Sequence, residues 1–407
     1  MDISQYRDDF PILSQKVNGK PLAYLDSASS AQKPQVVLDT INDLYNSNYA
    51  NIHRGLYQFS QVTTEAFELV REKVAAFINA PSSDEVVFTR NTTEAINLVA
   101  ESWGRKYLQA SDEIIISEIE HHANIVPWQL LEQKIGIKIK IIPVLDNGTL
   151  DFDVFETLLS EKTKLLAINY ISNALGTINP VKNYIKAAKG YNSDIKVLID
   201  GTQAVVHSSV DVRDIGCDFF AFTGHKLYGP NGVGVLWAKA DLFAAMPPYQ
   251  GGGDMIETVS FKNGTTFKEG AARFEAGTPA IAEVIAFGTA IDYVQAIGME
   301  AIAAHETALY EFMMQELRQI DGLTFYADLP EKASILSFTA DWAHASDIAM
   351  ILDQCGVAVR TGHHCCMPLM EAFGIDATVR ASIGLYNNKD DIMGLVEGLK
   401  KAKEMLA

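Results

Sequence analysis

Short apolar runs rich in β-branched residues recur at residues 113–117, 140–144, 165–172, 196–200, 218–223 and 233–238, and most are separated by stretches long enough to hold a helix. A chain built this way can bury its strands on both faces only as a mainly parallel sheet covered by helices, an α/β architecture. In such sheets ligands collect beyond the carboxyl ends of the strands, so the polar residues directly after these runs are the first places to look for chemistry. Thr93, Asp200 and Lys226 all stand there or at a helix start. After about residue 285 the pattern changes to a long helical stretch through Asp321, followed by strand-like runs at 334–339, 357–360 and 379–383. The expected division is a large domain over 21–285 and a smaller α+β domain over 286–407, with residues 1–20 packing on the smaller one. Gly251-Gly252-Gly253 is too short for a spacer and reads as a turn or a close-approach loop.

The 407 residues carry 51 acidic against 33 basic side chains, a formal net charge of −18. That balance repels phosphate backbones and anionic membrane surfaces, so neither a nucleic-acid nor a membrane partner is expected. The first ten residues lack the basic and apolar regions of a signal peptide, no later run approaches membrane-spanning length, and a cytoplasmic location is expected. Four cysteines are too few for a disulfide framework, and a reducing compartment leaves them as thiols.

Asp218-Phe219-Phe220-Ala221-Phe222-Thr223-Gly224-His225-Lys226 ends an apolar run with a hydroxyl, a glycine, an imidazole and an amine. A lysine placed there can form an imine with an aldehyde, although a single lysine is more often a solvated loop residue. Upstream, Lys196-Val197-Leu198-Ile199-Asp200 places a carboxylate at another strand end, with Gln203 three positions on. A carboxylate beside a pyridine nitrogen keeps that nitrogen protonated and turns the ring into an electron sink, whereas a strand-end aspartate alone reads as a turn residue. Arg90-Asn91-Thr92-Thr93-Glu94 reads as a hydroxyl-capped helix start suited to a phosphate, and a plain N-cap would look the same. Glu120-His121-His122 follows a strand, where an imidazole could stack on a pyridine face or serve only as a structural polar residue.

Together, Thr92-Thr93-Glu94, Glu120-His121-His122-Ala123-Asn124, Asp200-Gly201-Thr202-Gln203, Gly224-His225-Lys226 and Arg360-Thr361-Gly362-His363-His364-Cys365 resemble the group II, Suf-type cysteine desulfurases and selenocysteine lyases. These belong to the class V aminotransferases among the fold-type I pyridoxal phosphate enzymes. The resemblance runs in one continuous order from Tyr24-Leu25-Asp26-Ser27-Ala28 to Arg380-Ala381-Ser382. It implies that Lys226 carries pyridoxal 5′-phosphate as an imine, Asp200 pairs with the ring nitrogen, Gln203 contacts the phenolic oxygen and His121 stacks on the ring. Thr93, Thr223 and His225 would hold the phosphate, and Thr278 would reach the phosphate of a second subunit, making the active unit a homodimer. Arg380, helped by Asn173, would clamp the substrate carboxylate, while Arg360 lines the pocket near the reactive thiol. Cys365 would attack the sulfur of L-cysteine, leaving L-alanine and a persulfide destined for a SufE-type acceptor and iron–sulfur cluster assembly. L-selenocysteine is an expected further substrate.

Arg360, His363 and His364 are near enough in sequence to make the surroundings of Cys365 electropositive. A metal site at His363-His364-Cys365-Cys366 is the rival reading, weakened because four consecutive residues seldom converge on one ion, and two inert buried thiols are another. Cys366 stands where the family usually carries alanine: it is either a small apolar substitute or a partner for Cys365 in a strained vicinal disulfide that would silence the enzyme under oxidation. Asn91 replaces a common glycine, a change that a left-handed turn would tolerate. Cys217 and Cys355 read as core residues. Fold alone does not prove activity, so a non-catalytic pyridoxal-binding scaffold remains the alternative of a different class, and a transaminase the alternative within the fold.

Overall fold

The computed structural model describes residues 3–407. At its centre lies a seven-stranded sheet in the order Val86–Thr89, Gly234–Ala238, Phe219–Thr223, Lys196–Asp200, Thr163–Asn169, Glu113–Ser117, Lys138–Ile142. Five neighbouring strands run parallel, and Gly234–Ala238 is antiparallel to both of its neighbours. Each strand feeds both faces by its two-residue period. Leu166, Ile168, Val197, Ile199, Phe220 and Phe222 pack with the helices Gln58–Phe77, Val181–Tyr191 and Ile281–Ile297. Leu165, Ala167, Leu198, Phe219 and Ala221 pack on the other face with Thr92–Leu98 and Val126–Ile135. Burial of each large side chain contributes about 1.5–3 kcal/mol, which explains why these strands read as unbroken apolar runs.

The runs 113–117 and 196–200 form strands with the same bounds, while 140–144 and 165–172 pair two or three residues earlier, as Lys138–Ile142 and Thr163–Asn169, because their neighbours' register decides where the ladder stops. Val86–Thr89 was not anticipated; its four residues, all buried, close one edge against Gly234–Ala238. The long helical stretch is two helices, Ile281–Ile297 and Met299–Leu317, bent by 74° at Gly298, whose φ of +93° a side chain would resist. Gly251 and Gly253 have open space where a Cβ would stand, so that triplet makes no close approach.

A second sheet, wholly antiparallel, has the order Leu323–Tyr326, Ile335–Ala340, Thr378–Ser382, Arg360–Gly362. The single run expected at 357–360 is split between two sheets: Val357–Ala358 pairs in parallel with Ala23–Tyr24, and Arg360 begins the edge strand of the second sheet. Segment 23–30 thereby lies between the sheets, with Ser382 donating its N–H to Leu25 O and Ala28 its N–H to Ser382 Oγ at 2.8 and 2.9 Å.

The N-terminal segment is tied to the helices around the second sheet. Arg7 grips both oxygens of Asp391 at 2.8 and 3.0 Å and the carbonyl of Tyr386 at 2.8 Å. Asp391 is also the third residue of the capping box that starts Lys389–Leu406. Asp391→Ala removes a cap and strands a partly buried guanidinium, so the unfolding midpoint in urea is expected to fall by the equivalent of about 3 kcal/mol. An unchanged midpoint would show that the N-terminal tether adds nothing to stability.

Candidate active site

Asn169 and Asp200 end neighbouring parallel strands as register partners, and Thr223 ends the next strand. Beyond these carboxyl ends opens a pocket of about 720 Å³, walled on one side by the large sheet and on the other by Arg360 and Arg380 of the small one. Thr93, His121, Asn173, Asp200, Gln203, Thr223, His225, Lys226, Arg360, Cys365 and Arg380 all line it. Thr278 does not; it is exposed in a separate surface cleft beside Asn51, Arg54 and Gly253.

Lys226 closes a 3-10 turn after the strand Phe219–Thr223 and is only 9% exposed. Burial, helped by nearby Arg380 and opposed by Asp200, lowers its ammonium to about 8, so a useful fraction of neutral amine exists near neutral pH. Asp200 is buried as well. Burial raises its carboxyl, while the side chain of Thr202, the backbone N–H of Thr202 at 3.0 Å and the charge of Lys226 oppose that. Glycine follows Asp200 because a Cβ on Gly201 would lie 1.9 Å from the ring of Phe220. His121 accepts the N–H of Ala123 at Nδ1, 3.0 Å, and burial, then Lys226, pushes it down to about 3, leaving a neutral ring with its proton on Nε2. Gln203 donates to Ala28 O at 2.9 Å, and its Oε1 is buried without a partner.

At the other end of the pocket, His225 bonds Ser30 Oγ at 3.2 Å and is pushed down to about 4 by burial and Lys226. Thr223 Oγ1 donates to Val233 O at 3.0 Å, and Thr93 is exposed at the second position of the helix Thr92–Leu98. The cap of that helix is Asn91, whose side-chain oxygen accepts the N–H of Glu94 at 2.9 Å, so the expected hydroxyl cap is corrected. Asn91 has φ −174°, an extended conformation open to any residue, and no left-handed turn has to be tolerated there.

The thiol arrives from the small sheet. Arg360 and Arg380 are directly opposite each other on antiparallel strands, and Arg380 is 1% exposed. Arg380 donates to Asp26 Oδ1 at 3.0 Å, Ser29 Oγ at 2.6 Å and Asn173 O at 2.8 Å, and its Nε is buried without a partner. Arg360 donates to Ser29 Oγ at 2.9 Å and holds Nη2 3.7 Å from Cys365 Sγ. His364 and Cys365 have φ of +51° and +58°, left-handed values that cost a non-glycine residue about 1 kcal/mol or more each. The surroundings over-determine that shape. His122 donates its N–H to Cys365 O at 2.8 Å and accepts the N–H of Met367 at Nε2, 3.1 Å, while Asn173 Nδ2 donates to His364 O at 2.8 Å.

Of the three residues expected to make the thiol's surroundings positive, only Arg360 reaches the sulfur. His364 is buried against Thr378 Oγ1 at 2.7 Å and held neutral, pushed down to about 2 by burial and the two arginines; His363 is exposed and packs against His122. The four side chains of 363–366 diverge to different partners. Cys366 is fully buried, burial raises its thiol, and it donates to Asn173 Oδ1 at 3.2 Å, away from Cys365's contact with Arg360. Cys217 is fully buried, whereas Cys355 is partly exposed. Sequence reasoning missed Ser29, and also Glu120, which accepts from Asn124 Nδ2 at 2.8 Å and from Asn169 N at 3.0 Å beneath the pocket. Glu120 had as its only signal a place in the quoted Glu120-His121-His122 motif, and Ser29 had none.

A buried amine, a buried acid, a neutral imidazole and an unpaired amide oxygen fit a pyridine aldehyde, and the fold places them where α/β enzymes bind such a group. The fold and the pocket define a fold-type I enzyme that works with pyridoxal 5′-phosphate. The family model for class-V aminotransferases matches residues 23–395, and the chain belongs to that family. It is 49% identical over 404 residues to a cysteine desulfurase of Pectobacterium atrosepticum, covering 99% of this chain and 98% of that one. The crystal structure of the Escherichia coli cysteine desulfurase CsdA superposes with a TM-score of 0.93 at 36% identity, covering 100% of both chains. The apo cysteine desulfurase of Thermococcus onnurineus gives 0.92 at 35%, covering 100% of this chain and 98% of that one.

Because Lys226 loses its proton near pH 8, uptake of pyridoxal phosphate by apoprotein, followed by its absorbance, is expected to accelerate about tenfold per pH unit below that point and level off above it. A rate still climbing toward the ordinary lysine range would show that burial does not tune this amine.

Proposed function

We propose that the protein is a cysteine desulfurase that converts L-cysteine to L-alanine and takes the sulfur onto Cys365 as a persulfide. The observation that carries this reading is the meeting of the Lys226 amine and the Cys365 thiol in one pocket, with the thiol 3.7 Å from the Arg360 guanidinium. Lys226, Asp200, Gln203, His121, Thr93, Thr223 and His225 would hold the cofactor. When bound, pyridoxal phosphate supplies an electron sink for negative charge at the substrate's Cα. Lys226 Nζ, with its ammonium lowered to about 8 and so about a tenth neutral at pH 7, takes the Cα proton. Arg380 anchors the substrate carboxylate through its unpartnered Nε. A Cys365 thiolate, with Arg360 as counter-ion, attacks the substrate sulfur; the carbon–sulfur bond breaks, its electron pair stays with carbon, and a proton taken up there leaves alanine.

We further propose a cytoplasmic homodimer, supported by the exposure of Thr278 outside its own subunit's pocket. Division at about residue 285 into a cofactor domain and a smaller cysteine-bearing domain belongs to the same reading. So do a SufE-type acceptor feeding iron–sulfur cluster assembly and a selenocysteine lyase activity, since selenium is the better transfer centre.

Cys365→Ala is expected to abolish alanine formation from cysteine while the bound cofactor's yellow absorbance persists. Unchanged turnover would move the nucleophile to another thiol. Wild-type holoprotein that makes no alanine even with a reductant present would favour the scaffold reading instead.

A further inference from the structure

Ser29 belongs to none of the motifs that point to catalysis, yet it stands where the pocket's positive charges meet. Arg360 and Arg380 face each other across an antiparallel pair, an arrangement in which like charges repel. The Ser29 hydroxyl lies between them, accepting from Arg360 Nη1 at 2.9 Å and Arg380 Nη2 at 2.6 Å while donating to Asp26 Oδ1 at 2.7 Å. A hydroxyl has one hydrogen and two lone pairs, so every bonding position of Ser29 is in use. Each guanidinium has another task. Arg360 turns its second nitrogen to the Cys365 sulfur, and Arg380, which lines the same pocket, has a buried Nε–H without a partner.

We infer that Ser29 is a positioning residue: its hydroxyl locks the two guanidiniums to each other, so that the anion site at Arg380 and the cationic contact at the Cys365 sulfur act as one rigid unit. The inference rests on the desulfurase reading only in taking that anion to be the carboxylate of cysteine. Without the hydroxyl, one N–H of each arginine loses its acceptor and mutual repulsion is free to drive the two apart. Arg360 sits on an edge strand and is only partly buried, whereas Arg380 is 1% exposed, so Arg360 is the one that moves, and the sulfur loses its counter-ion.

The test uses holoenzyme carrying Ser29→Ala, Ser29→Thr or Ser29→Val; the last two have nearly the same shape and differ in the hydroxyl. The first readout is the rate of Cys365 alkylation by iodoacetamide at pH 7 without substrate, with Cys365→Ala as blank. The second is the split between KM and kcat for cysteine. Ser29→Ala and Ser29→Val are expected to slow alkylation about threefold or more and raise KM about tenfold with a smaller change in kcat, while Ser29→Thr recovers both values. Wild-type alkylation and KM in Ser29→Val, or a Ser29→Thr enzyme as impaired as Ser29→Val, would overturn the inference. If Ser29→Ala fails to fold, the Thr and Val pair decides. Failure of the desulfurase reading is separate: wild-type enzyme would then make no alanine, and the alkylation comparison would still stand or fall by itself.

Discussion

Three cationic side chains, Lys226, Arg360 and Arg380, share one pocket, and the carboxylates set against them among the described residues are Asp200 and Asp26. Withdrawn from water, these cations weaken one another: Arg380 and Arg360 both lower Lys226, and Arg360 lowers Arg380. A fold that tolerates this excess of positive charge is poised for anions, and the reading above supplies two, a cofactor phosphate and a substrate carboxylate. Burial first, and the same excess after it, gives Lys226 its neutral fraction, and the excess offers a thiolate its counter-ion. Neither sheet can build the arrangement alone, because the amine and the acid end strands of the large sheet while both arginines sit on adjacent strands of the small one.

This division explains what could be read from the chain alone. Asp200 and Lys226 follow apolar strands directly, and in a parallel sheet that local pattern already fixes which edge their side chains occupy. Arg360 and Arg380 were recognisable as site residues, but their direct opposition is a matter of strand register, which the spacing between them does not encode. Ser29 was invisible for a related reason. A serine in a run of small polar residues has no periodicity, and its role comes from two arginines more than three hundred residues away in sequence.

Elements were misread where tertiary packing overrode a local rule. Val86–Thr89 is too short to announce itself and is held by its antiparallel neighbour, and the run 357–360 serves two sheets because segment 23–26 passes between them. The helix cap at Asn91 shows the opposite case. Asparagine is as good a cap as threonine, and the hydroxyl of Thr92 is drawn instead to Thr202, so local preference allowed two answers and a long-range contact chose between them. His363 and His364 looked like charges for the thiol by proximity in sequence, but consecutive side chains in a left-handed turn point different ways.

The nucleophile itself is where these threads join. Two successive non-glycine residues at positive φ form an unfavourable turn, and within the loop it is spanned by the N–H of Cys366 donating to His363 O at 2.7 Å and, less tightly, that of Cys365 donating to His363 Nδ1 at 3.2 Å. Three further restraints come from outside, from His122 and Asn173, which belong to the half of the molecule that carries Lys226. His121 and His122 are adjacent, one facing the cofactor pocket and the other gripping the thiol loop, so a single turn of chain sets the position of both. Cys366 completes the clamp from below by donating to the same Asn173 that holds His364 O, which accounts for a buried thiol at this position without asking it to react. The sulfur therefore keeps its place only while both sheets keep theirs, and strain confined to one loop becomes a means of coupling the nucleophile to the site it serves.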